Sequence, residues 1–192
     1  MKLIVATGNP GKLKEMRAYL QGLPVELASK PPELEIAETG STFAENARLK
    51  ASQTAMALRQ WAIADDSGLS VTSLGGKPGV YSARYGNTDA ERIARLLQEL
   101  RGSDDRSARF ICAIALANPQ GEIVIETEGV CEGVISETPM GEGGFGYDPI
   151  FYIPAAGKTF AQMSVEEKGN YSHRGKAFAQ FRPLLQSLLE KA

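Results

Sequence analysis

Three loose carboxylates (Glu38, Asp65, Asp66), three cations (Lys12, Lys168, Arg174) and two aromatic rings (Phe145, Tyr147) are the side chains here best suited by type and spacing to chemistry. Asp65 and Asp66 follow the apolar run Trp61-Ala62-Ile63-Ala64, and α/β sheets place ligand sites where such strands end. Carboxylates at such a place can hold a divalent cation or take a proton from water. Neighbouring residues on an extended chain point to opposite sides, so the two aspartates are expected to do different jobs. One faces a metal or water while the other braces the turn. Turn chemistry alone also accounts for Asp65-Asp66-Ser67-Gly68, so this motif by itself fits both readings. Glu38 stands just ahead of a helix signal without belonging to its cap, which makes it a candidate magnesium ligand. Glu45 is already explained as a capping partner.

The cations sit beside turns. Thr7-Gly8-Asn9-Pro10-Gly11-Lys12 follows the apolar Leu3-Ile4-Val5-Ala6. Asn9 suits a helix N-cap and Pro10 the first helical position, which puts Lys12 and backbone N–H groups at a helix start that favours phosphate. An ordinary strand-to-helix connection reads the same way. It is not a P-loop: two residues separate Gly8 from Gly11-Lys12, and Leu13 stands where a Ser or Thr would meet magnesium. Gly143-Gly144-Phe145-Gly146-Tyr147-Asp148-Pro149 joins flexible backbone to two rings and a carboxylate, fit either to stack on a planar ligand or to turn a hairpin with its rings in the core. Ser172-His173-Arg174-Gly175 opens the last helix with the chain's only histidine and an arginine, two donors for a ligand oxygen. Lys168 either points to the same place or is solvated within Glu166-Glu167-Lys168. Together these are the parts of a nucleotide enzyme: phosphate, metal and base.

The elements that must position these residues follow from periodicity. Leu13, Met16 and Leu20 mark a helix from Pro10. Thr42-x-x-Glu45 is a capping box ahead of a helix with Ala47, Ala51, Ala55 and Leu58 on one face. Trp61–Ala64 is a buried strand expected to stop at Asp65, and 75–86 is a loop. A second box, Thr88-x-x-Glu91, starts a helix with Ile93, Leu96, Leu97 and Leu100 inward. Strands are expected at 109–117, 122–128, 130–135 and 150–153, with a turn at 118–121. The last helix starts near Ser172 with Phe178, Phe181, Leu184, Leu185 and Leu188 inward, and a kink at Pro183. That order implies a mixed sheet covered by helices.

The 192 residues suit one large domain, or one domain of two lobes. A net charge of -2, without a long basic run, gives no sign of a non-specific nucleic-acid surface. Cys112 and Cys131 lie in apolar segments and are expected to be reduced and buried, as in a cytoplasmic protein. No secretory signal pattern or membrane-length apolar run is present.

With these residues assembled, the chain resembles the inosine triphosphate pyrophosphatase family. The resemblance is carried by the Thr7–Lys12 loop, Glu38-Thr39-Gly40, Phe43-x-Glu45-Asn46-Ala47, Ala64-Asp65-Asp66-Ser67-Gly68-Leu69 and Pro78-Gly79-Val80-Tyr81-Ser82-Ala83-Arg84. Further along it rests on Gly143–Phe151, Glu167-Lys168 and Ser172–Gly175. It implies a single domain over 1–192: an elongated mixed α/β sheet flanked by helices, two lobes with the active site in the cleft between them, and a homodimer. It implies magnesium-dependent hydrolysis of ITP, dITP and XTP to the monophosphate and pyrophosphate. By position, Thr7, Gly8, Asn9, Pro10, Gly11 and Lys12 would bind phosphates, Glu38 and Asp66 the metal, and Asp66 would accept the proton. Ser67, Phe145, Gly146, Tyr147, Asp148, Lys168, His173 and Arg174 would contact the rest of the substrate, with His173 and Arg174 expected to reach the 6-keto oxygen of the base. Lys50 is a further candidate phosphate contact. A Maf-like nucleotide pyrophosphatase and a nucleotide-binding module without turnover are the alternatives.

Overall fold

The apolar run at the start becomes β1 (Lys2–Val5), with Leu3, Ile4 and Val5 buried. Asn9 then caps α1 (Pro10–Tyr19), its side-chain oxygen accepting from the Gly11 and Lys12 N–H groups at 2.8 and 3.3 Å. A short strand without a periodic signal, β2 (Glu26–Ser29), runs parallel to β1 with Glu26 opposite Lys2. The capping box ahead of α2 (Phe43–Leu58) closes in both directions: Thr42 accepts the Glu45 N–H and the Glu45 carboxylate accepts the Thr42 N–H, each at 3.2 Å. Ala47, Ala51 and Ala55 are fully buried as expected, and Asn46, Lys50 and Thr54 share their buried face.

β3 (Trp61–Val71) pairs parallel with β1 and does not end at Asp65. It runs straight through Asp65-Asp66-Ser67-Gly68, because both aspartates find buried polar partners and need no exposed turn. The loop that follows contains short 3-10 turns at Thr72–Leu74 and Gly79–Arg84. At α3 (Asp89–Glu99) the expected box is shifted by one residue: Thr88 accepts the Glu91 N–H, while the Glu91 carboxylate takes the N–H of Asn87. β4 (Ser107–Ala117) is followed by β5 (Ile123–Ile135), one strand where two were expected, since Gly129 keeps the extended conformation of its neighbours. β6 (Phe151–Ile153) and β7 (Lys158–Thr159) add antiparallel pairs. Two helices close the chain, α4 (Val165–Tyr171) and α5 (His173–Lys191); the first has no apolar periodicity to announce it. Pro183 lies inside α5, which continues to Lys191. Leu184 is 48% exposed rather than inward, because Phe178, Phe181 and Leu185 already occupy the stripe that a 3.6-residue period allows.

The sheet has the order β2-β1-β3-β4-β5-β6-β7 and mixes parallel with antiparallel pairs, so the mixed α/β expectation holds. The structure describes residues 1–191 and is a computed structural model; the chain divides into two units. The first comprises 1–66, 112–129 and Arg174 onward, with a core around Leu3, Met16, Ile63, Ile114 and Phe181. The second comprises 67–111 and 130–173, with a core around Leu69, Leu96, Phe110, Phe151 and Phe160. Cys112 and Cys131 are buried and form no disulfide, and burial pushes the Cys112 thiol up to about 12. Among the described residues no helix is long and apolar enough to cross a membrane.

Candidate active site

In the first unit, strand alternation sends Asp65 and Asp66 to different partners. Asp65 is fully buried, and its Oδ2 accepts from Arg174 Nη2 at 2.8 Å and Nε at 3.2 Å, with the Lys12 ammonium at 3.2 Å. Burial alone would raise its pKa, yet Lys12 and Arg174 hold the carboxyl well below the ordinary range. Asp65 is therefore a fixed anion and a poor base. On Asp66, Oδ1 accepts from Lys50 Nζ at 3.0 Å and Oδ2 from Asn46 Nδ2 at 3.1 Å. Here burial outweighs the pull of Lys50 and the pKa is raised, which suits a proton acceptor.

Lys50 also donates to Glu38 at 2.7 Å, so one ammonium holds Glu38 and Asp66. Burial opposes its charge, but Asp66, Asp65 and Glu38 together raise its pKa and keep it cationic. Asn46 Oδ1 accepts the Gly40 N–H at 2.8 Å, which ties the segment after Glu38 to the same helix. A Cβ on Gly40 would strike Asn46 and Glu45, each at 2.7 Å.

The loop at 7–12 is held from inside and open outside. Thr7 Oγ1 accepts the Asn9 N–H at 3.1 Å, and the Gly11 and Lys12 N–H groups are taken by Asn9. Gly8 and Pro10 are exposed, and a Cβ on Gly8 would meet nothing within 4 Å.

In the second unit, Gly144 and Gly146 adopt φ of 73° and 62°, flanking Phe145. Asp148 accepts the Phe145 N–H at 2.9 Å and the Lys168 ammonium at 2.7 Å; Asp89 accepts the Gly146 N–H at 2.7 Å. A Cβ on Gly144 would collide with the Asp148 carboxylate. Lys168, on α4, is buried rather than solvated, its ammonium 4.8 Å from the centre of the Phe145 ring and 5.5 Å from that of Phe160. The two rings of the loop differ. Phe145 is half-buried, whereas Tyr147 is buried and donates its O–H to the Ser82 carbonyl at 2.8 Å. The His173 ring is buried and stacks on Phe110 at 4.6 Å and 10°. Ser67, in β3, is half-buried.

The structure thus gathers Lys12, Asp65 and Arg174 into one cluster, Glu38, Lys50 and Asp66 into a second, and Phe145, Asp148 and Lys168 into a third. Arg174 belongs with the first. Its guanidinium also donates to Glu15 at 2.6 Å, so Nε, Nη1 and Nη2 each bond a carboxylate. Sequence reasoning missed Glu15, Asn46 and Asp89. The available signal was polarity on an apolar stripe: Asn46 lies among the buried alanines of α2, and Glu15 beside the buried Met16 of α1.

Magnesium takes one or two protein carboxylates and completes its shell with water and phosphate oxygens. Glu38 and Asp66, drawn to one ammonium, fit that sparse donor set; among the described residues no group of three acidic, Cys or His ligands exists. The charges agree. Lys12, Lys50 and Arg174 stand against Glu15, Glu38, Asp65 and Asp66, three positive against four negative, an excess that favours a cation.

A mixed α/β sheet with paired carboxylates on a lysine and an open loop at a capped helix start offers groups that could hold a phosphorylated ligand and a divalent cation. The family model described as Ham1 matches residues 3–184, and the chain belongs to the Ham1 family. It is 62% identical over 92% of its length to a Synechocystis protein named dITP/XTP pyrophosphatase, covering 91% of that relative. A Nostoc protein of the same name is 57% identical, with 99% of this chain and 97% of the relative covered. Among solved structures, a HAM1 protein from Coxiella burnetii is 41% identical with a TM-score of 0.87 and all of both chains covered. The Mycobacterium abscessus nucleoside-triphosphatase, or dITP/XTP pyrophosphatase, is 42% identical with a TM-score of 0.74, covering 95% of this chain and 100% of its own.

Proposed function

We propose that this protein hydrolyses non-standard purine nucleoside triphosphates, ITP, dITP and XTP, to the nucleoside monophosphate and pyrophosphate. The observation that carries the reading is the buried Asp66, raised in pKa and held with Glu38 on Lys50. The names of the Synechocystis and Nostoc relatives supply the substrate class and favour it over the Maf-like and non-catalytic alternatives.

A triphosphate carries about four negative charges at neutral pH and repels hydroxide, so cations must offset that charge and a base must deprotonate water in place. Thr7 to Lys12 take the phosphates on the loop's open side. Asp66 accepts the proton from the attacking water, and its Asn46 bond orients it. Glu38 and Asp66 would hold magnesium, which when bound offsets phosphate charge and stabilises the leaving pyrophosphate. Phe145 stacks on the base, Asp148 aims the Lys168 ammonium as a donor to a keto oxygen, and Ser67, Gly146, Tyr147 and His173 shape the remaining contacts. The working form is a cytoplasmic homodimer, which light scattering and cell fractionation test.

The decisive experiment is a nucleoside triphosphate panel with magnesium, scoring pyrophosphate separately from orthophosphate. Monophosphate and pyrophosphate from ITP, dITP and XTP are expected, with little turnover of ATP and GTP. Stepwise orthophosphate release through the diphosphate overturns the reading, as does activity confined to other nucleotides.

A further inference from the structure

We propose that Asp89 is a positioning residue for recognition of the purine base. Its carboxylate, at the start of α3, fixes the peptide between Phe145 and Gly146, and with it the ring that stacks on the base. The inference rests on the reading of Phe145 and Lys168 as groups that meet the purine. Three glycines among residues 143–146 give the chain around Phe145 much backbone freedom, which bonds from outside must remove. A Cβ on Gly146 would meet nothing within 4 Å, so crowding does not hold this residue in its left-handed conformation. Hydrogen bonds do. The Gly146 N–H donates to Asp89 Oδ2 at 2.7 Å, and the Phe145 carbonyl accepts the Asp148 N–H at 3.2 Å, so both ends of one peptide unit are bonded. Asp148 is three residues along the same loop and moves with it, whereas Asp89 lies 57 residues earlier, on a helix.

The carboxylate is aimed by its own helix. Thr88 caps α3 by accepting the Glu91 N–H at 3.2 Å, which places Asp89 in the first turn, where the helix dipole favours negative charge. Its Oδ1 accepts from Arg92 Nη1 at 2.6 Å, and Arg92 Nε donates to the Gly86 carbonyl at 3.0 Å. Oδ2 is thereby turned to the loop, and an ionised acceptor makes the Gly146 bond stronger than a neutral one would. The effect reaches the second base contact through one atom: Asp148 Oδ2 accepts both the Phe145 N–H and the Lys168 ammonium. Releasing the peptide from Asp89 frees Phe145 to leave that oxygen and shifts the Lys168 that shares it. The Asp89 side chain is 46% exposed, so its removal takes nothing from the core.

The test compares a ligand that has a base with one that has none. Affinities for inosine monophosphate and for inorganic pyrophosphate are measured by calorimetry with magnesium, alongside thermal midpoints and kcat and KM for ITP and ATP. The proteins are the wild type, Asp89→Ala, Asp89→Asn, Phe145→Ala and Thr88→Ala, the last of which weakens the same helix start but keeps the carboxylate. In Asp89→Ala, binding of the monophosphate should weaken about two- to tenfold, the range of one partly exposed hydrogen bond, with pyrophosphate binding unchanged. KM for ITP should rise by a similar factor, kcat should move less, and the ratio of kcat/KM for ITP over ATP should fall. Asp89→Asn, which keeps an acceptor oxygen, should recover part of the loss. Equal weakening of both ligands overturns the proposal, as does a lowered thermal midpoint with unchanged monophosphate affinity, or the same loss in Thr88→Ala. Unchanged monophosphate affinity in Phe145→Ala would overturn the reading of the loop and the proposal with it. A loss there without one in Asp89→Ala overturns the proposal alone. Should Asp89→Ala not fold, Asp89→Asn carries the comparison, with a smaller loss for the monophosphate and none for pyrophosphate.

Discussion

The two units bury charge in opposite styles. In the first, seven ionised side chains from five stretches of sequence (α1, Glu38, α2, β3 and α5) satisfy one another almost entirely through side-chain bonds. In the second, one ammonium–carboxylate pair, Lys168–Asp148, sits against the Phe145 ring, and the other partners are backbone N–H groups held by Asp148 and Asp89. The difference follows from the ligand groups each is proposed to meet. Phosphates and metal require concentrated charge, and cations crowded for that purpose would repel one another without interleaved carboxylates. A purine base requires a shaped, nearly neutral surface, which glycines in left-handed conformations and a fixed ring provide. Changes in the first unit should therefore act on every triphosphate alike, and changes in the second on the choice among them.

The sharpest break is Asp66→Asn, which keeps the shape but removes the proton acceptor and one metal-facing charge. A fall in kcat of about 10² to 10⁴-fold is expected on all substrates, with the fold retained by circular dichroism. Retention of more than about a tenth of wild-type kcat at saturating magnesium would move the base role off Asp66.

Asp65→Asn should cost about 3–5 kcal/mol of stability at neutral pH, by leaving Lys12 and Arg174 short of a buried counter-charge. The sign of its pH dependence is set by the depressed pKa. The unfolded carboxyl titrates near its ordinary 3.8 and the folded one below it, so ionised Asp65 stabilises fully above about pH 4 and progressively less in stronger acid. Urea titrations at several pH values should show the gap between wild type and variant constant from neutrality to about pH 5 and narrowing below pH 4. A gap that widens in acid would contradict the ion-pair account.

In the second unit, Lys168→Met should narrow the preference for ITP over ATP by roughly 10- to 100-fold, the range for losing a buried polar contact. Equal losses on both substrates would place Lys168 with the phosphates and erase the contrast between the units. A smaller effect is expected of Gly144→Ala, which combines a φ of 73° with a clash on Asp148 and should destabilise by about 1–3 kcal/mol, with raised KM for ITP. The mildest is Thr42→Ala, which removes a helix cap worth about 1 kcal/mol and should lower the thermal midpoint without altering nucleotide preference.

Much of this was decided by local sequence, because the interactions concerned span only a few residues. The Asn9 cap with Pro10 behind it, the Thr42–Glu45 box and the alanine face of α2 depend on offsets of one to four positions. The split between Asp65 and Asp66 follows from strand alternation alone. What tertiary structure decided is where partners lie far apart along the chain. β3 continues past Asp65 because Arg174, 109 residues away, and Lys12 neutralise that carboxylate inside the protein. Lys168 reads as a solvated lysine in an acidic run until Asp148, 20 residues earlier, accepts a hydrogen bond from its ammonium in a buried site. Tyr147 and Phe145 look alike in sequence, but only packing of the Tyr147 hydroxyl on the Ser82 carbonyl makes one a core residue and leaves the other partly open. A local pattern can name a residue's chemistry, but burial and counter-charge, which are properties of distant segments brought together, decide whether that residue meets the ligand or holds the one that does.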